Sequence, residues 1–168
     1  MTRRDTNLAQ NCLARVDRPA HHQPAATPVS HPDCRSALIQ IVALHRSLSQ
    51  TRNAAGFIQG SLLADRKRTF WTLTVWADQA DMRAFMTSGP HRKAMPKLLG
   101  WCDEASLVHW TQSDDAVPSW NVASDRMRAE GRSSKVRYPS PRHGDLTYAE
   151  PWTRGGLPIR RRTDARPA

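Results

Sequence analysis

The stretch Thr69-Phe70-Trp71-Thr72-Leu73-Thr74-Val75-Trp76 decides the architecture of this chain. It is rich in β-branched and aromatic residues, and in a strand successive side chains point to opposite faces. Trp71, Leu73 and Val75 share one face, while Phe70, Thr72, Thr74 and Trp76 share the other. A strand with one wet face would carry polar residues along all of that face. Here both faces carry aromatics. The spacing therefore predicts a sheet covered on both sides, by helices on one and by a second body on the other.

Immediately upstream, Phe57–Ala64 is a second strand-like run, and the polar loop Asp65-Arg66-Lys67-Arg68 between the two runs predicts a hairpin. Downstream, Asp78 is a good helix N-cap, with Asp81 placed to complement the helix dipole. Met82, Phe85 and Met86 follow at the spacing of a buried helical stripe. Ser88-Gly89-Pro90 ends that helix and starts another, which carries His91, Leu98, Leu99 and Trp101 and closes near Gly100. Pro96 lies inside it and predicts a kink or a restart. Glu104–Thr111 reads as a last strand. Upstream of the hairpin, Ala37, Ile41, Leu44 and Leu48 fit a helical stripe over Ser36–Ala54, although Ala37–Leu44 also suits a buried strand. The order is an α+β arrangement, a βαββαβ unit with two helices on one face of an antiparallel sheet. Its first strand has only Asn11–Val16 as a candidate.

The ends of the chain read differently from its middle. The 168 residues contain 12 prolines and are 39% hydrophobic, which is low for a chain folded throughout. Residues 1–34, with Pro19, Pro24, Pro28 and Pro32, read as a disordered segment. Residues 35–112 hold the periodic apolar signal and form the domain. Residues 113–168 form a polar, basic extension with one short helix near 120–129. No apolar run reaches the ~20 residues of a membrane-spanning helix. Cys12, Cys34 and Cys102 form no Cys-x-x-Cys pair, so a reducing, cytoplasmic location is expected.

The run Gly56-Phe57-Ile58-Gln59-Gly60-Ser61-Leu62-Leu63, the strand Arg68–Trp76, the turn of helix Met82-Arg83-Ala84-Phe85-Met86 and the segment Ser88-Gly89-Pro90-His91-Arg92-Lys93-Ala94-Met95 together form a pattern. It resembles the ferredoxin-like, dimeric α+β barrel family of antibiotic-biosynthesis-monooxygenase-like and spheroidene-monooxygenase-like proteins, over about residues 36–112. The resemblance implies a homodimer packed sheet against sheet, with a ligand pocket between sheet and helices. It implies a hydrophobic, planar aromatic, quinone-like or haem-like ligand, and either no cofactor or haem. Fold alone does not supply a reaction.

His91 is the candidate catalytic residue. It stands in the first turn of a helix, where the dipole disfavours imidazolium, so a neutral ring could take a proton or ligate haem iron. The plainer alternative is that it bonds a nearby backbone carbonyl and fixes the start of the helix. Phe70, Trp71, Thr72, Thr74, Trp76 and Trp101 are the candidate ligand-binding residues, aromatic walls with two hydroxyls. A non-catalytic binding or interaction module on the same fold is the alternative, and it requires a filled interior. His31-x-x-Cys34 with His21 and His22 lacks the clustered pairs of a zinc site, so no metal is expected. Cys102 reads as a small buried residue rather than a nucleophile. Net charge is +10 and spread along the chain. Arg160-Arg161-Arg162 and the stretch Arg126–Arg142 could touch nucleic-acid phosphates, but no recognition motif accompanies them, and a solvated tail is the plainer reading.

Overall fold

The structure is a computed structural model, and it describes residues 9–17, 34–64, 69–148, 151 and 156–162. Six strands form one antiparallel sheet: β1 (Ala9–Asp17), β2 (Phe57–Ala64), β3 (Thr69–Trp76), β4 (Glu104–Gln112), β5 (Arg132–Ser133) and β6 (Leu157–Arg160). Four helices accompany them: α1 (Cys34–Asn53), α2 (Gln79–Met86), α3 (Gly89–Trp101) and α4 (Trp120–Glu130). The spatial order is β5-β4-β1-β3-β2-β6. Its inner four strands are the βαββαβ unit, so the fold is α+β and ferredoxin-like.

The first strand begins inside the segment expected to be disordered. β1 pairs with β3 from Gln10↔Trp76 to Asp17↔Thr69 and with β4 from Ala9↔Gln112 to Asp17↔Glu104. The candidate Asn11–Val16 lies within it, one to two residues short at either end, and its weak apolar signal is compensated by backbone hydrogen bonds along both edges. Residues 1–8 and 18–33, including His21, His22 and His31, lie outside the described residues, as do the loop residues 65–68.

The helical reading of Ser36–Ala54 holds and the strand alternative falls, because α1 runs unbroken for 20 residues. Asp78 caps α2, accepting from the Asp81 N–H at 2.8 Å. Pro96 neither ends nor restarts its helix, which continues to Trp101. Pro96 and Arg92 are both exposed, so water can bond the Arg92 carbonyl that the proline leaves unpaired.

The sheet is covered on both faces, but the second cover comes from this chain. On the side of α1–α3, Phe57, Leu62, Trp76, Met82, Phe85 and Ile159 form one buried cluster. On the reverse side Leu63, Trp71, Leu73, Val108 and Trp110 are buried against Ala123 and Met127 of α4 and against Tyr148. Tyr148 donates its hydroxyl hydrogen to the Ser124 carbonyl at 3.0 Å. The expectation of a twin copy over this face is therefore corrected: residues 113–148 fill it. The apolar back of β3 has a partner within its own chain.

Candidate functional site

A cavity of about 300 Å³ lies between the sheet and helices α1, α2 and α3. Its floor comes from Phe70, Thr72, Thr74 and Trp76 of β3 with Leu107 and His109 of β4. The register explains why these strands meet there. Cys12 of β1 is the pairing partner of both Thr74 and His109, and Ala14 of both Thr72 and Leu107. Strand pairing thus sets the two rows level with one another on either side of β1.

The roof is built around His91, and its position follows from a clamp. Gly89 turns the chain between α2 and α3 with φ +54°. A side chain there would be strained, and its Cβ would come within 2.9 Å of Gln50. Gln50 of α1 occupies that space. Its Nε2 donates to the Ser88 carbonyl at 3.1 Å and to the Phe85 carbonyl at 3.2 Å. Its Oε1 accepts from the His91 N–H at 2.8 Å. One amide therefore satisfies the open end of α3 and ties α1 to the α2–α3 corner.

His91 Nδ1 lies 3.3 Å from the Met86 carbonyl. A carbonyl can only accept, so Nδ1 carries the proton and Nε2 keeps its lone pair. The ring packs on Phe85 with centroids 4.6 Å apart, and Phe85 in turn packs on Trp76 at 5.0 Å. Burial pulls the His91 pKa below 6.5, and the bond to Met86 opposes that only in part. His91 is a neutral base at neutral pH, and it also makes the carbonyl contact of its plainer alternative.

Five of the six residues expected at the ligand line this cavity: Phe70, Thr72, Thr74, Trp76 and Trp101. Trp71 does not. It is 1% exposed on the reverse face, edge-on to Tyr148. Its alternation with Phe70 and Thr72 already separated it from them. His109 was missed. Its pKa is lowered by burial first and then by Arg132 and Arg83, so it is a second neutral imidazole in the cavity wall. Its Nε2 is buried without a hydrogen-bond partner among the described residues. A histidine inside an otherwise ordinary strand gives no local signal; only pairing across β1 brings it to Thr74.

The Cys102 thiol is buried and donates to the Leu98 carbonyl at 2.9 Å, which fits the small buried residue expected. Among the described residues no group of three His, Cys, Asp or Glu could hold a metal ion, and no helix is long and apolar enough to cross a membrane.

With the fold and cavity described, the family match has a structural meaning. Residues 31–97 match the antibiotic biosynthesis monooxygenase family. The match spans α1 through most of α3, and so includes Gln50, β3 and His91. No curated protein matches the chain. Among solved structures it is similar to Rv0793 from Mycobacterium tuberculosis, with 14% identity, a TM-score of 0.49, and coverage of 64% of this chain and 98% of that one. It is also similar to a conserved protein from Methanosarcina mazei Go1, with 14% identity, a TM-score of 0.47, and 62% and 93% coverage. A third is SnoaB from Streptomyces nogalater, described as a cofactor-independent oxygenase, with 16% identity, a TM-score of 0.40, and 64% and 94% coverage. β1, β4, α4, β5 and β6 lie outside the residues that match the family.

Proposed function

We propose that this domain binds a hydrophobic, planar aromatic ligand of the hydroquinone class in the cavity beneath His91 and oxygenates it with dioxygen. One oxygen atom enters the ring to give a hydroxyquinone and the other leaves as water, with the hydroquinone itself supplying the electrons. The observation that carries the reading is the cavity itself: an apolar space with threonine hydroxyls on its floor and a lone-pair-bearing imidazole in its roof. Ligand sites are concave, mostly apolar and furnished with few polar groups, and their volumes begin at about 300 Å³. His91 takes a proton from the bound ligand, since its Nδ1 is committed to Met86 and its Nε2 is the basic atom. Phe70, Trp76 and Trp101 hold the ring and keep water from it.

Haem fits this cavity poorly. The volume lies at the floor of the range for small ligands, and among the described residues no Lys or Arg lines the walls to meet propionates. We therefore route no step through haem. The non-catalytic module needs a filled interior, and the open cavity speaks for a ligand instead. A homodimer, if one forms, must use a surface other than the face already packed by α4 and Tyr148.

The test is a titration with a naphthohydroquinone, following tryptophan fluorescence and oxygen uptake. Wild type should bind and consume oxygen. Ala94→Phe, which fills the cavity from α3, should abolish binding. His91→Gln should bind but lose oxygen uptake by about 100-fold. Binding undiminished in Ala94→Phe would place the ligand elsewhere, and unchanged uptake in His91→Gln would leave only a binding role.

A further inference from the structure

A second concavity, of about 660 Å³, opens on the other side of α1 between the end of that helix and the last strand. It is lined by Arg52 and His45 of α1 and by Arg160, Arg161 and Arg162 at the end of β6, with no carboxylate among its described lining residues. In sequence Arg52 is more than a hundred residues from the other three. Tertiary structure brings them together by two means. Ile159 is 2% exposed in the cluster with Phe57 and Trp76, so β6 is anchored and its neighbouring residue Arg160 faces outward. Beyond the strand, the Arg162 N–H donates to the Arg52 carbonyl at 2.9 Å, fastening the arginine run to the C-terminal end of α1.

That end of a helix carries partial negative charge and tolerates a cation in its last turn, which accounts for Arg52. It does not account for four guanidiniums around one hollow. Among the described residues the ion pairs are those of Arg126 with Glu130 and of Arg128 with Asp125. None of the four arginines of the groove is in an ion pair with a described carboxylate. Like charges held together by the backbone repel, and an anion of high charge density removes that repulsion. Guanidinium groups bind phosphate oxygens in pairs of parallel hydrogen bonds. Among the described residues no aromatic side chain lines the groove to offer a platform for stacking a base.

We infer that this groove binds a compact anion carrying two or more phosphate groups, through Arg52, Arg160, Arg161 and Arg162. The site is separate from the cavity under His91 and stands whether or not that cavity binds an aromatic compound. The same phosphate chemistry occurs in free polyphosphates and in a nucleic-acid backbone. The lack of a stacking surface among the described residues favours the former.

Isothermal titration of the full chain with inorganic tripolyphosphate tests it. Wild type should bind one tripolyphosphate per chain, with affinity falling as salt is raised. The double variant Arg160→Gln/Arg162→Gln should lose affinity by about ten-fold or more, since charge-assisted hydrogen bonds are removed. The charge-matched control Arg92→Gln/Lys93→Gln, on the exposed side of α3, should bind like wild type. All four positions are exposed, so the variants should fold. Equal losses in both double variants would overturn the inference, showing only general attraction to a basic protein. Citrate binding as tightly as tripolyphosphate would overturn the choice of phosphate. Tighter binding of a single-stranded oligonucleotide, lost in the Arg160→Gln/Arg162→Gln variant, would transfer the groove to nucleic acid.

Discussion

Trp71 and Tyr148 meet edge to face, their ring centroids 5.2 Å apart and their planes at 73°. One comes from the centre of the sheet and the other from the C-terminal extension. The pair is the innermost contact of the cover that closes the reverse side of the sheet. Arg128 of α4 lies 5.2 Å over the Tyr148 ring, and the Tyr148 hydroxyl reaches back to Ser124. The extension is thereby part of the folded domain.

The first prediction follows from that contact. Tyr148→Phe keeps the ring and loses the hydrogen bond, and should lower stability by about 1 kcal/mol. Tyr148→Ala should lower it by about 3–5 kcal/mol, the usual range for removing a buried aromatic. Urea denaturation followed by circular dichroism measures both. Neither should alter ligand binding under His91, because the sheet stands between the two sites.

The same cover makes a prediction about self-association. Met127 is fully buried between α4 and the sheet. Met127→Asp places an unpaired carboxylate there and should loosen the helix, exposing Trp71, Val108 and Trp110. Sedimentation velocity should then show more association than in wild type. Less association would mean that α4 itself holds two copies together.

The clamp at the helix corner supplies a third. Gly89→Ala meets both an unfavourable φ and the Gln50 side chain, and should destabilise the protein by at least about 1 kcal/mol. Gln50→Ala leaves the His91 N–H and the Ser88 carbonyl without their partner. It should lower stability by about 1–3 kcal/mol and weaken any His91-dependent activity more than ligand affinity. Thermal melts paired with the naphthohydroquinone assay separate the two effects.

The histidines give a pH dependence with a definite sign. Both His91 and His109 have folded-state values below 6.5 because burial disfavours their charged forms. Above about pH 6.5 they are neutral in the folded and unfolded chains and contribute no slope. As pH falls below that, the unfolded chain takes up protons first, so stability declines until the folded-state values are reached. The double variant His91→Gln/His109→Gln should flatten this decline in urea midpoints as pH falls below about 6.5. An equal slope in wild type and variant would show that other groups produce it.

Much of the domain was legible because its signals are local. The two-faced alternation of Thr69–Trp76 gave both sheet faces, Asp78 gave a helix start, and Ser88-Gly89-Pro90 gave the corner that presents His91. Phe70, Thr72, Thr74 and Trp76 shared a face by counting, and that face is the cavity floor. The reading failed wherever the deciding partner was distant. Trp71 was grouped with the cavity for its residue type, although its parity placed it opposite. β1 was legible only as the weak run Asn11–Val16 within a segment expected to be disordered, and His109 had no local pattern at all.

The amino-acid order by itself determined the elements from α1 to β4, because 3.6- and two-residue periodicities and helix caps act within a few residues of one another. Only the tertiary structure decided what lies over the back of the sheet, that β1 runs between β4 and β3, and that Arg52 stands beside Arg160–Arg162. Those outcomes depend on burying surfaces far apart in sequence, where the gain is shared between partners and neither carries its signature alone.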